Sequence, residues 1–177
     1  ILEKKVRERV HQAMQGVVFN LNTMHSRAGS QVPFSSVNIG IPNSDDAALV
    51  CEIFLEEYEK GLGKGEQPIF PNIIFRVKDG VNREEGDPYY YLYKLACRVA
   101  AKRMNPTFMN IDADFNKEYY NQGYMPATMG CRTYLMKNVN GEPGCKGRGN
   151  IAPTTINLPR IGIQAKGNIE KFFELFQ

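Results

Sequence analysis

Tryptophan is absent from this 177-residue chain, histidine occurs twice and cysteine four times. The cysteines, Cys51, Cys97, Cys131 and Cys145, lie 46, 34 and 14 positions apart, and no two form a C-x-x-C pair. That spacing disfavours a zinc site. His11 and His25 alone do not make a histidine-rich centre, so no metal is expected within the chain. Nothing marks secretion, and reduced thiols in a cytoplasmic protein are the expectation. No apolar run approaches the roughly 18 residues of a membrane-spanning helix. Long Lys/Arg runs are also missing, and the net charge is only +3. Neither a membrane nor a nucleic acid is therefore expected as a partner. There is no initiator methionine. The chain starts within one apparent helix and stops within another, so an internal piece of a longer protein is expected.

What is present is globular. Hydrophobic residues make up 42%, charged residues 23% and aromatic residues 11%. A chain of this length buries roughly 70% of its unfolded surface. Val6, Val10, Ala13, Val17, Leu21 and Met24 recur at steps of three and four, the mark of one helix face. Residues 31–40 are β-rich. Ser44, Asp45 and Asp46 read as a cap and acidic first turn, followed by Ala47, Val50, Cys51, Phe54, Leu55 and Tyr58. Residues 69–77 form a nearly continuous apolar run, suited to a strand buried on both faces. Asp87-Pro88 reads as a helix start, with Leu92, Leu95, Ala96, Val99, Ala100 and Met104 as the buried stripe. Cys51 and Cys97 are expected to face the core. Short strands are expected at 107–111, 127–132 and 151–158, a brief helical turn at 116–120, and a last helix capped by Asn168. Strand and helix alternate, which predicts an α/β fold of about five mainly parallel strands with flanking helices.

Several places could carry chemistry. Cys131 sits at a strand end, where sites collect in parallel α/β folds. It reads either as a buried structural thiol or as a reactive one beside Arg132. Gly147-Arg148-Gly149-Asn150 is either a plain turn or a nest of amides for an anion, joined by Arg148. Ser35, Ser36 and Asn38 bring polar groups into a strand that should be buried. They need partners, either from neighbouring loops or from a polar ligand. Asp112 and Asp114 point to opposite faces of an extended chain, which makes a paired acid/base device improbable. The tyrosines at 89, 90, 91 and 93 read as packing and rim.

Segment by segment, the chain resembles the anaerobic, class III ribonucleoside-triphosphate reductases. The resemblance is carried by residues 25–36 (His-Ser-Arg-Ala-Gly-Ser-Gln-Val-Pro-Phe-Ser-Ser) and 68–73 (Pro-Ile-Phe-Pro-Asn-Ile). It continues through 110–113 (Asn-Ile-Asp-Ala), 129–133 (Met-Gly-Cys-Arg-Thr), 147–153 (Gly-Arg-Gly-Asn-Ile-Ala-Pro) and 155–160 (Thr-Ile-Asn-Leu-Pro-Arg). The six segments occur in the family's order.

The resemblance implies that the five strands are half of a ten-stranded α/β barrel of the glycyl-radical-enzyme type. The whole chain, residues 1–177, would be one segment of that larger catalytic domain. It implies that Cys131 becomes the thiyl radical, that Asn150 contacts the substrate hydroxyls, and that formate supplies electrons. Ser35, Ser36, Asn38 and Arg148 are the further candidates for binding substrate. No cofactor is implied within this segment; the glycyl radical and a structural zinc would lie further along the parent chain. Implied partners are ribonucleoside triphosphates, nucleotide effectors, a radical-SAM iron–sulfur activating enzyme and a second copy of the protein. The competing reading is a non-catalytic nucleotide-binding or assembly module that keeps the barrel sequence.

Overall fold

The computed structural model describes residues 2–25, 28–130, 133–134, 136–144, 147–148 and 155–177. They fall into two compact units, Ile1–Gly147 and Arg148–Gln177.

In the first unit, helix α1 (Leu2–Thr23) precedes an alternation of strand and helix: β1 (Ser36–Ile39), α2 (Asp45–Lys60), β2 (Asn72–Val77), α3 (Tyr90–Arg103), β3 (Thr107–Asn110) and α4 (Asp114–Asn121). Each crossover contains a helix, which returns the chain so that the next strand runs parallel. The result is a parallel sheet ordered β1-β2-β3. Ser36 pairs with Asn72 in one ladder, and Ile74 with Thr107 in the other. Two further strands of two residues each, β4 (Thr128–Met129) and β5 (Thr133–Tyr134), pair antiparallel. Of the expected strands, those at 31–40, 69–77, 107–111 and 127–132 are found, shorter than expected, and the first three of them are parallel, whereas β5 at 133–134 lies outside the expected strands and pairs antiparallel.

The middle strand carries the core. Ile73 and Phe75 are buried on one face against Val18 of α1, Cys51, Phe54 and Tyr58 of α2, and Leu92, Ala96 and Val99 of α3. Ile74 is buried on the other face with Met109 and Ile111. Burial on both faces is why residues 69–77 read as an apolar run rather than an alternation. Helix α2 begins as expected: the Ser44 hydroxyl accepts a hydrogen bond from the Ala47 amide, with Asp45 and Asp46 in the first turn. Helix α3 starts two residues later than Asp87-Pro88 suggests. The Asp87 carboxylate instead accepts from the amides of Arg83 and Glu84, closing the preceding loop.

Three asparagines join the elements. Asn22 of α1 accepts from the amides of Ile69 and Phe70 and donates to the Phe70 carbonyl. Asn82 donates to the carbonyls of Gly40 and Arg76, tying the ends of β1 and β2. Asn105 accepts from the Ile73 amide and donates to the Tyr58 hydroxyl and the Pro71 carbonyl.

Some expectations are corrected. Helix α1 packs through Val10, His11, Met14, Val18 and Leu21, whereas Val6, Val17 and Met24 of the anticipated stripe are exposed. Cys97 is exposed, not core-facing; it stands next to Ala96, about 100° around the helix from the buried stripe. Met104 is exposed as well, ending α3 in the left-handed conformation.

The second unit contains α5 (Leu158–Ala165) and α6 (Ile169–Phe176). Asn168 caps α6 as expected, accepting from the Lys171 amide. Of the strand expected at 151–158, residues 151–154 lie outside the described residues. Residues 155–157 are not in a strand, and Leu158 opens α5. Asn157 caps that helix by accepting from the Arg160 amide, with Pro159 in its first turn.

Candidate functional site

Strand alternation gives β1 and the start of β2 an apolar side and a polar side. Val37, Ile39, Ile73 and Phe75 serve the helix-covered core. Ser36, Asn38 and Asn72 fall on the opposite face, where the ladder sets Ser36 beside Asn72. That polar face is covered by residues 128–130, the segment that leads into Cys131.

The contacts are specific. The Asn38 side chain donates to the Thr128 carbonyl at 2.9 Å and accepts from the Thr128 amide at 3.2 Å. Asn72 donates to the Gly130 carbonyl at 2.8 Å. The Gly130 amide donates to the Ser36 hydroxyl at 3.2 Å. Gly130 itself takes φ +54°, a left-handed turn one residue before Cys131. A Cβ there would meet only the Phe34 ring, at ordinary contact distance. Ser36 and Asn38 thus have loop partners. Ser35 differs: its hydroxyl oxygen is buried with no hydrogen-bond partner, while its carbonyl accepts from the Asn72 amide.

Beside this strap lies a cavity of about 280 Å³, lined by Ile74, Met109, Phe115, Asn116, Thr128 and Tyr134 among others. Asn116 Oδ1 and Thr128 Oγ1 are buried without a hydrogen-bond partner. Nothing in the sequence marks this pair. The Arg76 guanidinium donates to the carbonyls of Asn38 and Ile39. Burial pulls its pKa below the ordinary arginine value.

Cys131 and Asn150, the expected radical and substrate-contacting residues, lie outside the described residues, as does Cys145. Arg148 is half-buried in the second unit. Asp112 is a loop anchor, accepting from the Asp79 amide at 2.8 Å with Lys78 at 3.7 Å. Tyr93 packs edge-on against Phe108 and tilted against Phe75, in keeping with a packing role for the tyrosines. Among the described residues no group of three or more His, Cys, Asp or Glu side chains could hold a metal. Among them, too, no helix is long and apolar enough to cross a membrane.

A family model described as anaerobic ribonucleoside-triphosphate reductase matches residues 2–177. The chain is 36% identical over 168 residues to the anaerobic ribonucleoside-triphosphate reductase of Escherichia coli K12, covering 93% of this chain and 23% of that protein. It is 35% identical over 163 residues to the protein of that name from Haemophilus influenzae, covering 91% and 22%. With the enterobacteria phage T4 protein of the same name it shares 34% over 181 residues, covering 98% and 29%. The chain therefore spans under a third of the length of these relatives.

Proposed function

Since this chain belongs to the anaerobic ribonucleoside-triphosphate reductase family, we propose that it is a segment of the catalytic barrel that reduces ribonucleoside triphosphates to deoxyribonucleotides. Cys131 is the radical-bearing residue in this reading. Its sulfur takes the hydrogen atom from ribose C3′, forming S–H as C–H breaks. The 2′-hydroxyl then leaves as water, and formate supplies the two electrons and is oxidised to carbon dioxide. Cys131 finally returns hydrogen to C3′. A glycyl radical elsewhere in the parent protein would generate the thiyl state. A structural zinc would also lie outside this segment.

The observation that carries the reading is the match over residues 2–177, in a chain that has cysteine at 131 and asparagine at 150. The α/β architecture agrees with a barrel segment, and residues 128–130, just before residue 131, are bonded to the polar sheet face. The cavity beside Thr128 offers polar atoms that a ligand group could satisfy. Asn150 would hold the substrate hydroxyls, with Ser35 and Arg148 as further binding groups. Nucleotide effectors, a radical-SAM activating enzyme, a homodimeric parent and a cytoplasmic setting belong to the same proposal.

The test is Cys131→Ser in the full-length protein that contains this segment. Serine is close in size, but its O–H bond is far stronger than S–H, so deoxynucleotide formation is expected to vanish while the fold stays intact. Turnover by that variant would overturn the assignment. Asn150→Ala is expected to lower kcat/KM by roughly 5- to 150-fold, the effect of leaving a buried polar substrate group unpaired. Nucleotide binding without any reduction by the unaltered protein would favour the non-catalytic module instead.

A further inference from the structure

The geometry points to Ser36, Asn38 and Asn72 as positioning residues for Cys131, acting through the backbone of residues 128–130 and not through contact with the nucleotide. This rests on the reading of Cys131 as the radical residue.

The argument starts from periodicity. The backbone groups of Thr128 and of Gly130 both turn toward the polar face of the sheet. Ser36 and Asn38 likewise share one side of β1, and Asn72 stands next to Ser36 in the ladder. The two patterns meet: the amide and carbonyl of both Thr128 and Gly130 are all bonded by these three side chains. Asparagine suits this role because one side chain offers both a donor and an acceptor. Asn38 uses both toward the amide and carbonyl of a single residue, Thr128, as a neighbouring strand would. The strap is thus laid onto the face of the sheet by side chains in place of a backbone ladder. The last anchored position, Gly130, is also the left-handed turn that immediately precedes residue 131 in the chain. Hydrogen-atom transfer needs the sulfur held near one carbon, and a displacement of about 1 Å can lower a rate about 100-fold. Anchors one and three residues before the cysteine are suited to set that distance. In this inference Asn38 and Ser36 act on the loop backbone in place of the substrate contact that polar residues in a buried strand suggest.

The experiment uses the full-length, activated reductase with Asn38→Leu, Asn72→Leu, Ser36→Ala and Ser36→Thr, alongside Cys131→Ser. For the two leucine variants kcat is expected to fall about 10- to 100-fold, with KM for the nucleotide within about threefold and the glycyl-radical signal undiminished. A second readout does not depend on turnover. Hydrogen exchange at the Gly130 amide is expected to speed up about tenfold in Ser36→Ala. Ser36→Thr, which keeps the acceptor, should restore it. That conservative pair keeps the test decisive if a leucine variant fails to fold. A rise in KM with kcat unchanged would make these residues substrate contacts and overturn the inference. Wild-type kcat together with wild-type exchange would overturn it equally. If Cys131→Ser is dead while the anchor variants are fully active, the positioning inference alone fails. If Cys131→Ser still turns over, the radical assignment fails, and the exchange result stands apart from it.

Discussion

Cys51 lies buried beneath α2, where loss of hydration pushes its thiol pKa up to about 12, while Cys97 is exposed on α3. A neutral buried thiol is a poor nucleophile. At pH 8 iodoacetamide is therefore expected to label Cys97 readily and Cys51 only on unfolding, as read by mass spectrometry. Cys51→Ser places a hydroxyl in an apolar site and should cost about 1–3 kcal/mol in a urea titration. Cys97→Ser should stay within about 0.5 kcal/mol. Gly130 makes a different demand. With φ +54° and only ordinary contact with the Phe34 ring awaiting a Cβ, substitution is limited by backbone conformation. Gly130→Ala is expected to cost about 1–2 kcal/mol, and a cost near zero would mean that the turn relaxes. The sequence exposed the residue types here better than their surroundings. Cys97 was assignable to the surface from its phase relative to Leu92, Leu95, Ala96 and Val99. The partners of Ser36 and Asn38 were not, because they come from residues about 90 positions away.

At the scale of elements, hydrogen-bonded polar groups fix what apolar stripes leave open. Helix α1 shows this. Its apolar stripe predicts one face, but the docked face carries His11, whose Nδ1 lies 2.6 Å from Glu57 Oε1 of α2. Arg7 adds a bond of 2.6 Å to Glu52 on the same side. The docked face thus combines Val10, Met14, Val18 and Leu21 with these polar bonds to α2. Burial alone would raise the Glu57 carboxyl, but its bonds to Lys60 and His11 outweigh that and hold its pKa below the ordinary value. A depressed carboxylate pKa contributes stability above the unfolded value, which is lost as pH falls through the folded one. Wild-type stability is thus expected to drop below about pH 4.3 more steeply than that of Glu57→Gln. Parallel urea midpoints across that range would contradict the linkage. Asn105 joins β2, α2 and the 68–71 turn through three bonds. Asn105→Leu would leave the Ile73 amide and the Tyr58 hydroxyl without this partner, at about 2–4 kcal/mol. The caps of α2 and α6 were legible from Ser44 and Asn168. Helix α5 was equally marked, by Asn157 and Pro159, but the apolar residues before it invite a strand reading.

For the whole molecule, the alternation of strand and helix made the parallel sheet legible, because a chain crossing over through a helix has few other ways to pair. The antiparallel β4-β5 pair was not legible, since strands of two residues carry no periodicity. The consequence of the observed sheet lies at its margins. Among the described residues β1 and β3 are both edge strands, and an unpaired edge is a template for another chain. Phe34 is 58% exposed, Phe108 44% and Phe115 62% in the first unit. In the second, α6 turns Ile169, Phe173 and Phe176 to solvent. Exposed apolar surface of this kind finds a partner when one is present. In a reductase barrel that partner would be the rest of the protein; for the isolated 177 residues it can only be another copy. The isolated chain is therefore expected to self-associate as its concentration rises, as read by sedimentation velocity, and to bind nucleoside triphosphates weakly or not at all. Charge on the edges would work against this. Phe108→Lys on β3 puts a cation on the exposed edge strand and is expected to shift the distribution toward monomer. A monodisperse monomer of the unaltered chain with micromolar nucleotide affinity would mean that the segment folds and binds on its own, and the non-catalytic module would then become the better account of its function.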